Sequence, residues 1–135
     1  MIPTKYQTLK INSNTQSLRL VERLIEDVCQ VYGVNEDCYG NMLIAVTEAV
    51  NNAIHHGNQD DPEKVVRIGF ESENSKLTFS ITDEGPGFDH SSLPDPTDPA
   101  NLDKVSGRGV FLMQNLSDSI AFEQNGKRVL LGFNA

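Results

Sequence analysis

The chain has 135 residues, 38% of them apolar, which suits one folded domain with a sizeable core. It contains no run of about 18 apolar residues and no apolar leader, so we expect a cytoplasmic protein without a transmembrane helix. Its formal net charge of −8 argues against nucleic acid or an anionic membrane as a partner, because neutralising phosphates requires clustered lysines and arginines.

The first third of the sequence predicts a strand and a helix. Residues 5–11 alternate weakly between polar and apolar, which indicates an edge strand. Ser13 and Gln16 fit a capping box, and the helix that they would open runs to about Tyr32, with Gly33 as its stop. The buried side of this helix would carry Leu18, Val21, Leu24, Ile25 and Val28.

A second helix is predicted to begin after the cap Asn35 and to run through residues 41–57. Glu48 and Asn52 lie four residues apart, so their side chains stack on one face. Beside a nucleotide, the Asn52 amide oxygen could hold Mg²⁺ and the Glu48 carboxylate could take a proton from a group attacking the γ-phosphate. The alternative is an ordinary solvated face. The opposite, apolar stripe comprises Met42, Val46, Ala49, Val50 and Ala53.

The two cysteines fall inside these helical patterns. Cys29 and Cys38 lack the spacing of metal ligands. We expect two buried reduced thiols, as is usual in a cytosolic protein, and a disulfide is the alternative.

A hairpin follows, and its second strand ends in a carboxylate. Residues 66–70 and 77–81 alternate between apolar and polar, with a turn between them. Counting by twos from Leu77 reaches Asp83, which therefore falls on the apolar face and needs a donor. Gly85 and Gly87 would let a ligand approach the backbone, and an amine such as that of adenine could be the donor. The alternative is a tight turn in which Asp83 binds local backbone.

The last third of the sequence predicts a lid, a helix and a second hairpin. Residues 89–106 lack periodicity and contain three prolines, as functional lids or disordered segments do. Gly107, Arg108 and Gly109 then precede helical spacing from Val110. Such a turn aims N–H groups at an anion, and Arg108 adds a donor suited to phosphate; an ordinary turn before a helix is the alternative.

The order of the elements predicts the fold class. After a final hairpin across Asn125-Gly126, the chain reads strand, helix, helix, hairpin, loop, helix, hairpin. We expect an α+β two-layer sandwich, with a mostly antiparallel sheet and the helices packed on one face, formed by residues 1–135 as a single domain. The other sheet face is partly polar and would meet water or a partner.

Three motifs, taken together and in this order, resemble the GHKL ATPase superfamily, which has the Bergerat nucleotide-binding fold; no P-loop signature is present. Residues 48–57, E-A-V-N-N-A-I-H-H-G, are similar to the N-box of the bacterial anti-sigma-factor serine/threonine kinases, typically E-A-V-x-N-A-x-x-H-G. Residues 83–88, D-E-G-P-G-F, are similar to their G1 box, and residues 107–110, G-R-G-V, to their G2 box.

The resemblance implies an ATP-dependent serine-protein kinase. Such a protein acts as an anti-sigma regulatory factor and phosphorylates a STAS-type anti-anti-sigma antagonist on serine. By resemblance, Glu48 is the general base, Asn52 ligates the Mg²⁺ that bridges the ATP phosphates, and Asp83 binds the adenine amine. Gly85 and Gly87 would shape the pocket floor.

The resemblance also implies roles for the lid and a set of partners. Gly107, Arg108 and Gly109 would contact phosphates as a lid hinged at Gly87 and Gly107 closes. His56 matches the family's histidine and would lie near the nucleotide. The expected partners are a sigma factor, a STAS-type antagonist and a second copy of the chain.

Two other functions are alternatives, the first of them because of one departure from the family pattern. Lys127 and Arg128 stand where these kinases often have two threonines, one of them near the adenine. A non-catalytic ATP-binding or partner-binding regulator is therefore an alternative. The catalytic module of a two-component histidine kinase is another, although few residues precede the first helix and no phosphoacceptor segment is apparent.

Overall fold

A computed structural model describes residues 5–85 and 105–134, which form five strands and three α-helices. In chain order they are β1 (Lys5–Asn12), α1 (Leu18–Tyr32), α2 (Glu36–Asn52), β2 (Val65–Glu73), β3 (Lys76–Thr82), α3 (Val105–Leu116), β4 (Ser119–Glu123) and β5 (Arg128–Asn134). The predicted order of elements is confirmed. None of the helices in these two ranges combines the length and the apolar character that crossing a bilayer requires.

The strands of the described residues form one sheet in the order β1-β2-β3-β5-β4, antiparallel at every step. Asn74 and Ser75 join β2 to β3 with φ of 51° and 66°, a left-handed turn whose twist suits a two-residue hairpin. β5 pairs with β3, and β4 lies outside it. β3, which leads into Asp83, is therefore the central strand.

The helices cover one face of the sheet and enclose the core with it. Alternate residues of β3, such as Phe79, are buried, whereas Thr78 and Ser80 point to the other face and stay partly exposed. The predicted apolar stripes of α1 and α2 face this core. The α+β two-layer sandwich is thus confirmed.

A row of aromatic rings ties the end of α1 to three adjacent strands. Ring centroids lie 5.6 Å apart for Tyr32 and Phe70, 5.1 Å for Phe70 and Phe79, and 6.3 Å for Phe79 and Phe133. The rings are tilted or edge-on, which the charge distribution of aromatic rings favours over a face-to-face stack. The row fixes the centre of the sheet beneath the helices.

The end of α1 and the start of α2 follow the sequence signals. Gly33 ends α1 with φ of 64°, a left-handed conformation that favours glycine. The side-chain oxygen of Asn35 accepts the Cys38 backbone N–H at 2.8 Å and so caps α2, whose first turn carries two acidic residues. Both predictions are confirmed.

The capping box predicted from Ser13 and Gln16 is wrong. Asn14 caps the first turn instead, its side-chain oxygen accepting the Ser17 N–H at 3.0 Å, and α1 begins at Leu18 after a short 3₁₀ turn. Ser13 is buried and donates to the Lys64 carbonyl at 2.7 Å. A partner 51 residues away, which no local pattern reveals, therefore holds the Ser13 hydroxyl.

The start of α3 also differs from expectation. The helix begins at Val105 rather than Val110, so Gly107, Arg108 and Gly109 are helical and do not form a turn before it. Glycine can adopt helical backbone angles, although at an entropic cost. The sequence prediction gave this cost too much weight and therefore placed a turn here. The rest of the predicted lid, including the hinge Gly87, lies outside the described residues.

The two cysteines are free and partly buried. Cys29 Sγ lies 3.8 Å from the Met42 thioether. Burial, and then the neighbouring Cys38, raises the pKa of the Cys29 thiol to about 11, so this thiol is protonated at neutral pH. Burial also raises the pKa of Cys38.

Candidate functional site

The candidate site lies where the chain leaving α2 meets the chain leaving β3. Gly57 is packed directly against the Asp83 carboxyl group, and a methyl group on Gly57 would overlap it. Gly85 in turn lies against the Gly57 carbonyl, so that a side chain at position 85 would overlap that oxygen. The predicted N-box and G1 segments are therefore in direct contact, and glycine is required by their close approach.

A widened turn brings Gly57 to this position. The expected α-helix through residue 57 ends at Asn52, and Ala53–Gly57 form a π turn. The Asn58 N–H donates to the Ala53 carbonyl at 2.8 Å, five residues back, and closes the turn. Single π turns often occur at functional sites, because they redirect the chain without breaking the helix.

Glu48 and Asn52 lie on the last two turns of α2, as predicted. Both side chains are partly buried, and within residues 5–85 and 105–134 no hydrogen bond or ion pair engages either of them. They leave one carboxylate and one amide oxygen free at the helix end that leads to Gly57. This arrangement could serve a hard cation and a proton transfer, since both jobs need oxygen atoms that are not already occupied.

The described residues hold no cluster of three or more histidine, cysteine, aspartate or glutamate side chains suited to a metal ion. A dedicated protein cage is thus not seen in this part of the chain. Mg²⁺ at nucleotide sites usually needs one or two protein oxygens, with substrate phosphates and water completing its octahedron. The Asn52 amide oxygen fits that donor set.

Asp83 lies at the exit of β3, half-buried and held by backbone contacts. Its N–H donates to the Lys127 carbonyl at 3.0 Å, and its Oδ1 accepts the Gly85 N–H at 2.8 Å. Oδ2 has no donor among the described residues. The local bond that was the alternative interpretation therefore exists, but it occupies one oxygen only and leaves the other for a ligand.

The electrostatics of Asp83 favour a neutralising partner. Burial raises the pKa of Asp83, and this outweighs the Gly85 N–H and the charges of Lys127 and Lys64, each of which lowers it. The ionised carboxyl is thus poorly solvated. Lys127, at the position where the related kinases often have threonine, contributes its carbonyl and its charge here, while Arg128 lies 3.5 Å from Glu123.

Asn58 was missed by the sequence analysis. It is completely buried, its amide nitrogen donates to the Ser13 hydroxyl at 2.8 Å and to the Val65 carbonyl at 2.9 Å, and its oxygen accepts the Glu84 N–H at 2.7 Å. In the sequence it is the first residue of a polar turn, and nothing local separates it from its neighbours. Two of its three partners lie far away in the chain, Ser13 at 45 and Glu84 at 26 residues.

Glu84 was likewise missed as a structural residue. Its Oε1 accepts the Val65 N–H at 2.7 Å, at the first residue of β2. The Glu84 side chain thus takes the place of a backbone hydrogen bond beyond the point where the pairing of β2 with β3 ends. Asn58 and Glu84 together satisfy both backbone groups of Val65.

The two histidines differ in their surroundings. His55 Nδ1 lies 2.5 Å from Asp60 Oδ1, in a turn where Gln59 and Asp60 both have positive φ. That contact makes His55 part of the turn. His56 is exposed, and none of the described residues bonds to its ring, so its predicted position near a nucleotide stays a prediction.

The G2 segment lies in the first turns of α3. The first N–H groups of an α-helix have no intrahelical partner, so the backbone near Gly107 can still offer donors to an anion although it is helical. α3 packs against α2 and buries Met113, which puts both helices on the same side of the sheet. The phosphate contacts assigned to Gly107, Arg108 and Gly109 stay predictions, as does the role of Gly87.

Curated proteins that this chain resembles include serine-protein kinases. The chain is 27% identical over 126 residues to the serine-protein kinase RsbW of Bacillus velezensis, covering 89% of this chain and 79% of that protein. It is 26% identical over 126 residues to the serine-protein kinase RsbW of Bacillus subtilis, with the same coverage. The protein of the same name from Staphylococcus epidermidis is 26% identical over 129 residues, covering 90% and 81%.

The family model of the histidine kinase-like ATPase domain matches residues 11–133. This span runs from β1 to β5 and includes all three motifs. The chain therefore belongs to the histidine kinase-like ATPase domain family, the GHKL superfamily that its motifs resemble.

Proposed function

We propose that this protein, as a single domain spanning residues 1–135, is an ATP-dependent serine-protein kinase. It acts as an anti-sigma regulatory factor and phosphorylates a STAS-type antagonist on serine, in the cytoplasm. The observation that carries the proposal is the contact of Gly57 with Asp83, which joins the carboxyl end of α2 to the exit of β3. The three relatives reported above, each named a serine-protein kinase, support the choice of acceptor.

Asp83 is the proposed base-recognition residue. Its Oδ2 accepts a hydrogen bond from the exocyclic amine of adenine, while the Gly85 N–H keeps Oδ1 in place. Gly85, which packs against the Gly57 carbonyl, and Gly87 are proposed to shape the floor of the pocket. A donor from the ligand compensates the desolvated carboxyl, which explains why a poorly solvated acid is kept here.

Asn52 and α3 are the proposed phosphate-binding elements. The Asn52 amide oxygen ligates Mg²⁺, which when bound neutralises charge on the ATP phosphates. The backbone N–H of Gly107, in the first turn of α3, and the guanidinium of Arg108 bind the phosphate oxygens from the other side. Gly109, without a side chain, lets the phosphates approach the helix. His56 lies at the edge of the same pocket.

Glu48 is the proposed general base. It lies one helical turn before Asn52 and takes the proton of the substrate serine hydroxyl as that oxygen attacks the γ-phosphorus. The new O–P bond forms while the bond to the β-phosphate oxygen breaks, and ADP leaves with that electron pair. Positioning and charge stabilisation carry most of the rate, as is general for phosphoryl transfer.

The charges on the open sheet face support self-association. Lys10, Arg67 and Arg128 lie in one row across β1, β2 and β5, whereas Glu71 and Glu73 lie nearer the other end of β2. A second copy stacked with its strands reversed would put acidic residues opposite basic ones. We propose a homodimer through this face, with the sigma factor and the antagonist as further partners.

The dimer proposal predicts a charge-dependent association. Arg67→Glu should reverse one charge of the basic row and shift the protein from dimer towards monomer at micromolar concentration, as measured by light scattering. Arg23→Glu, an exposed site on α1 and off the sheet, is the control and should leave the mass unchanged. A wild-type protein that is monomeric throughout would contradict the proposal.

Two substitutions on α2 should separate nucleotide binding from phosphoryl transfer. Asn52→Ala should weaken Mg-ATP binding by about tenfold or more, because it removes a contact to a charged group. Glu48→Gln should leave binding intact and lower transfer by at least about 10²-fold, the usual contribution of a general base. Binding is measured by calorimetry, and transfer with labelled ATP, Mg²⁺ and the cognate antagonist.

The exposed Asn41, on the same helix, supplies the control Asn41→Ala, which should change neither quantity. Equal loss of binding in the Asn52 and Glu48 variants would mean that Glu48 is structural. Tight ATP binding by the wild-type protein without any transfer to the antagonist would instead favour the non-catalytic regulator.

Substitution of two glycines should test the contact between the motifs. Gly57→Ala places a methyl group into the Asp83 carboxyl, so we expect loss of ATP binding and of stability. Gly40→Ala adds the same methyl group to α2, where nothing lies within 4 Å. That control should keep ATP binding and gain roughly 0.5–1 kcal/mol, since alanine favours the helix. Unchanged ATP affinity in the Gly57 variant would refute the proposed pocket.

Asp83→Asn should weaken ATP binding and raise the stability of the free protein, and the gain in stability should depend on pH. Because burial raises the folded-state pKa of Asp83, the contribution of this carboxyl to stability is fully present below its unfolded-state pKa and is lost as the pH rises through the raised folded-state pKa. The asparagine variant keeps an acceptor for the Gly85 N–H but lacks the charge. Without nucleotide, we therefore expect it to be the more stable protein at neutral pH and the advantage to vanish at acidic pH, as measured by urea unfolding.

The same variant should bind ATP poorly. If its amide oxygen accepts the Gly85 N–H, its NH2 group faces the adenine amine, and two donors cannot form a hydrogen bond. Asp27→Asn, an exposed carboxyl on α1, serves as the control for both measurements. A stability difference that is equal at all pH values would argue against a desolvated carboxyl at position 83.

A further inference from the structure

We infer that Asn58 is a positioning residue for base recognition. From within a buried cluster, its side-chain oxygen accepts the Glu84 N–H and so fixes the direction of the Asp83 carboxyl. This direction in turn determines the preference for purines that bear a 6-amine. The inference rests on the proposed function, because it assigns to Asn58 the control of a contact proposed there. It concerns a residue outside the three motifs.

Three successive backbone donors hold the segment that contains Asp83. The Asp83 N–H donates to the Lys127 carbonyl at 3.0 Å, the Glu84 N–H to Asn58 Oδ1 at 2.7 Å, and the Gly85 N–H to Asp83 Oδ1 at 2.8 Å. The first bond reaches β5 and the third is local. The middle bond alone ties this segment to the chain leaving α2, on which Gly57 lies against the carboxyl.

The orientation of the Asn58 amide is determined by its surroundings. Glu84 presents a donor and Val65 presents a carbonyl acceptor, so only one of the two flipped forms of the amide satisfies both. The second donor of the amide is taken by the Ser13 hydroxyl, which itself donates to the Lys64 carbonyl. With no exposed surface, the side chain has no water to compensate a lost partner.

Asn58 also connects the two halves of the site through its own backbone. Its N–H closes the π turn on Ala53, and the residue before it, Gly57, is the one in contact with Asp83 and Gly85. The Asn58 side chain and the Gly57 main chain therefore both contact residues 83–85, and they hold the chain leaving α2 against the chain leaving β3 at adjacent points. A shift of either segment would move the Asp83 carboxyl relative to the end of α2.

Three variants separate positioning from stability. Asn58→Ala removes all three side-chain bonds, Asn58→Asp keeps an acceptor for Glu84 but loses both donors, and Ser13→Ala disturbs the same cluster without touching Glu84. The probes are ATP and purine riboside triphosphate, which lacks the 6-amine, each with Mg²⁺. Calorimetry gives the ratio of their affinities, and circular dichroism sets a temperature at which each variant is folded.

We expect wild type to prefer ATP and Asn58→Ala to lose about tenfold of that preference, the value of one well-aligned hydrogen bond. Ser13→Ala should lose stability and keep the preference for ATP. If Asn58 had a merely structural role, the Ser13 and Asn58 variants would affect the preference alike. Asn58→Asp should also keep most of the preference, because it retains an acceptor for the Glu84 N–H. If the alanine variant does not fold, loss of the preference in folded Asn58→Asp contradicts the inference.

Two results would overturn the inference alone: an unchanged preference in folded Asn58→Ala, or a preference lost equally in Asn58→Asp and Ser13→Ala. A wild-type protein that binds neither nucleotide would overturn the proposed function as well, so the two failures are distinguishable.

Discussion

The contact of Gly57 with Asp83 is the constraint on which the rest of this site depends. It requires that α2 end in a widened turn, that β3 stop where its alternation delivers a carboxylate, and that positions 57 and 85 carry no side chain where the two segments meet. Each of these features is ordinary when taken alone. Together they bring two segments that lie about 25 residues apart in the chain into direct contact at the candidate site.

The oxygens proposed to be functional are poorly compensated at the candidate site. Asp83 is half-buried and one of its oxygens has no donor among the described residues, and no hydrogen bond or ion pair engages the side chains of Glu48 and Asn52 there. Around them, by contrast, the polar groups of Asn58 are fully satisfied. A rigid, saturated frame thus surrounds atoms that await partners, as pre-organised sites generally require.

The sequence predicted those parts of the fold that depend on local periodicity. The alternation of apolar and polar residues predicted the hairpins. Counting every second residue along β3 from Leu77 predicted that Asp83 falls on the apolar face. Sequence reasoning failed where the decisive partner is distant, as for Ser13, whose bonds reach Lys64 and Asn58. It failed likewise at the start of α3, because propensity alone underrates a helix that tertiary packing stabilises.

The insertion of β5 between β3 and β4 has a consequence for the order of folding. The carbonyl that receives the Asp83 N–H belongs to Lys127, which directly precedes β5, the strand that flanks β3 on that side. All three sequence motifs precede β5 in the chain, yet the segment that carries Asp83 gains this bond only when β5 has paired with β3. The geometry around Asp83 is therefore completed by a long-range strand pairing and not by the motifs alone.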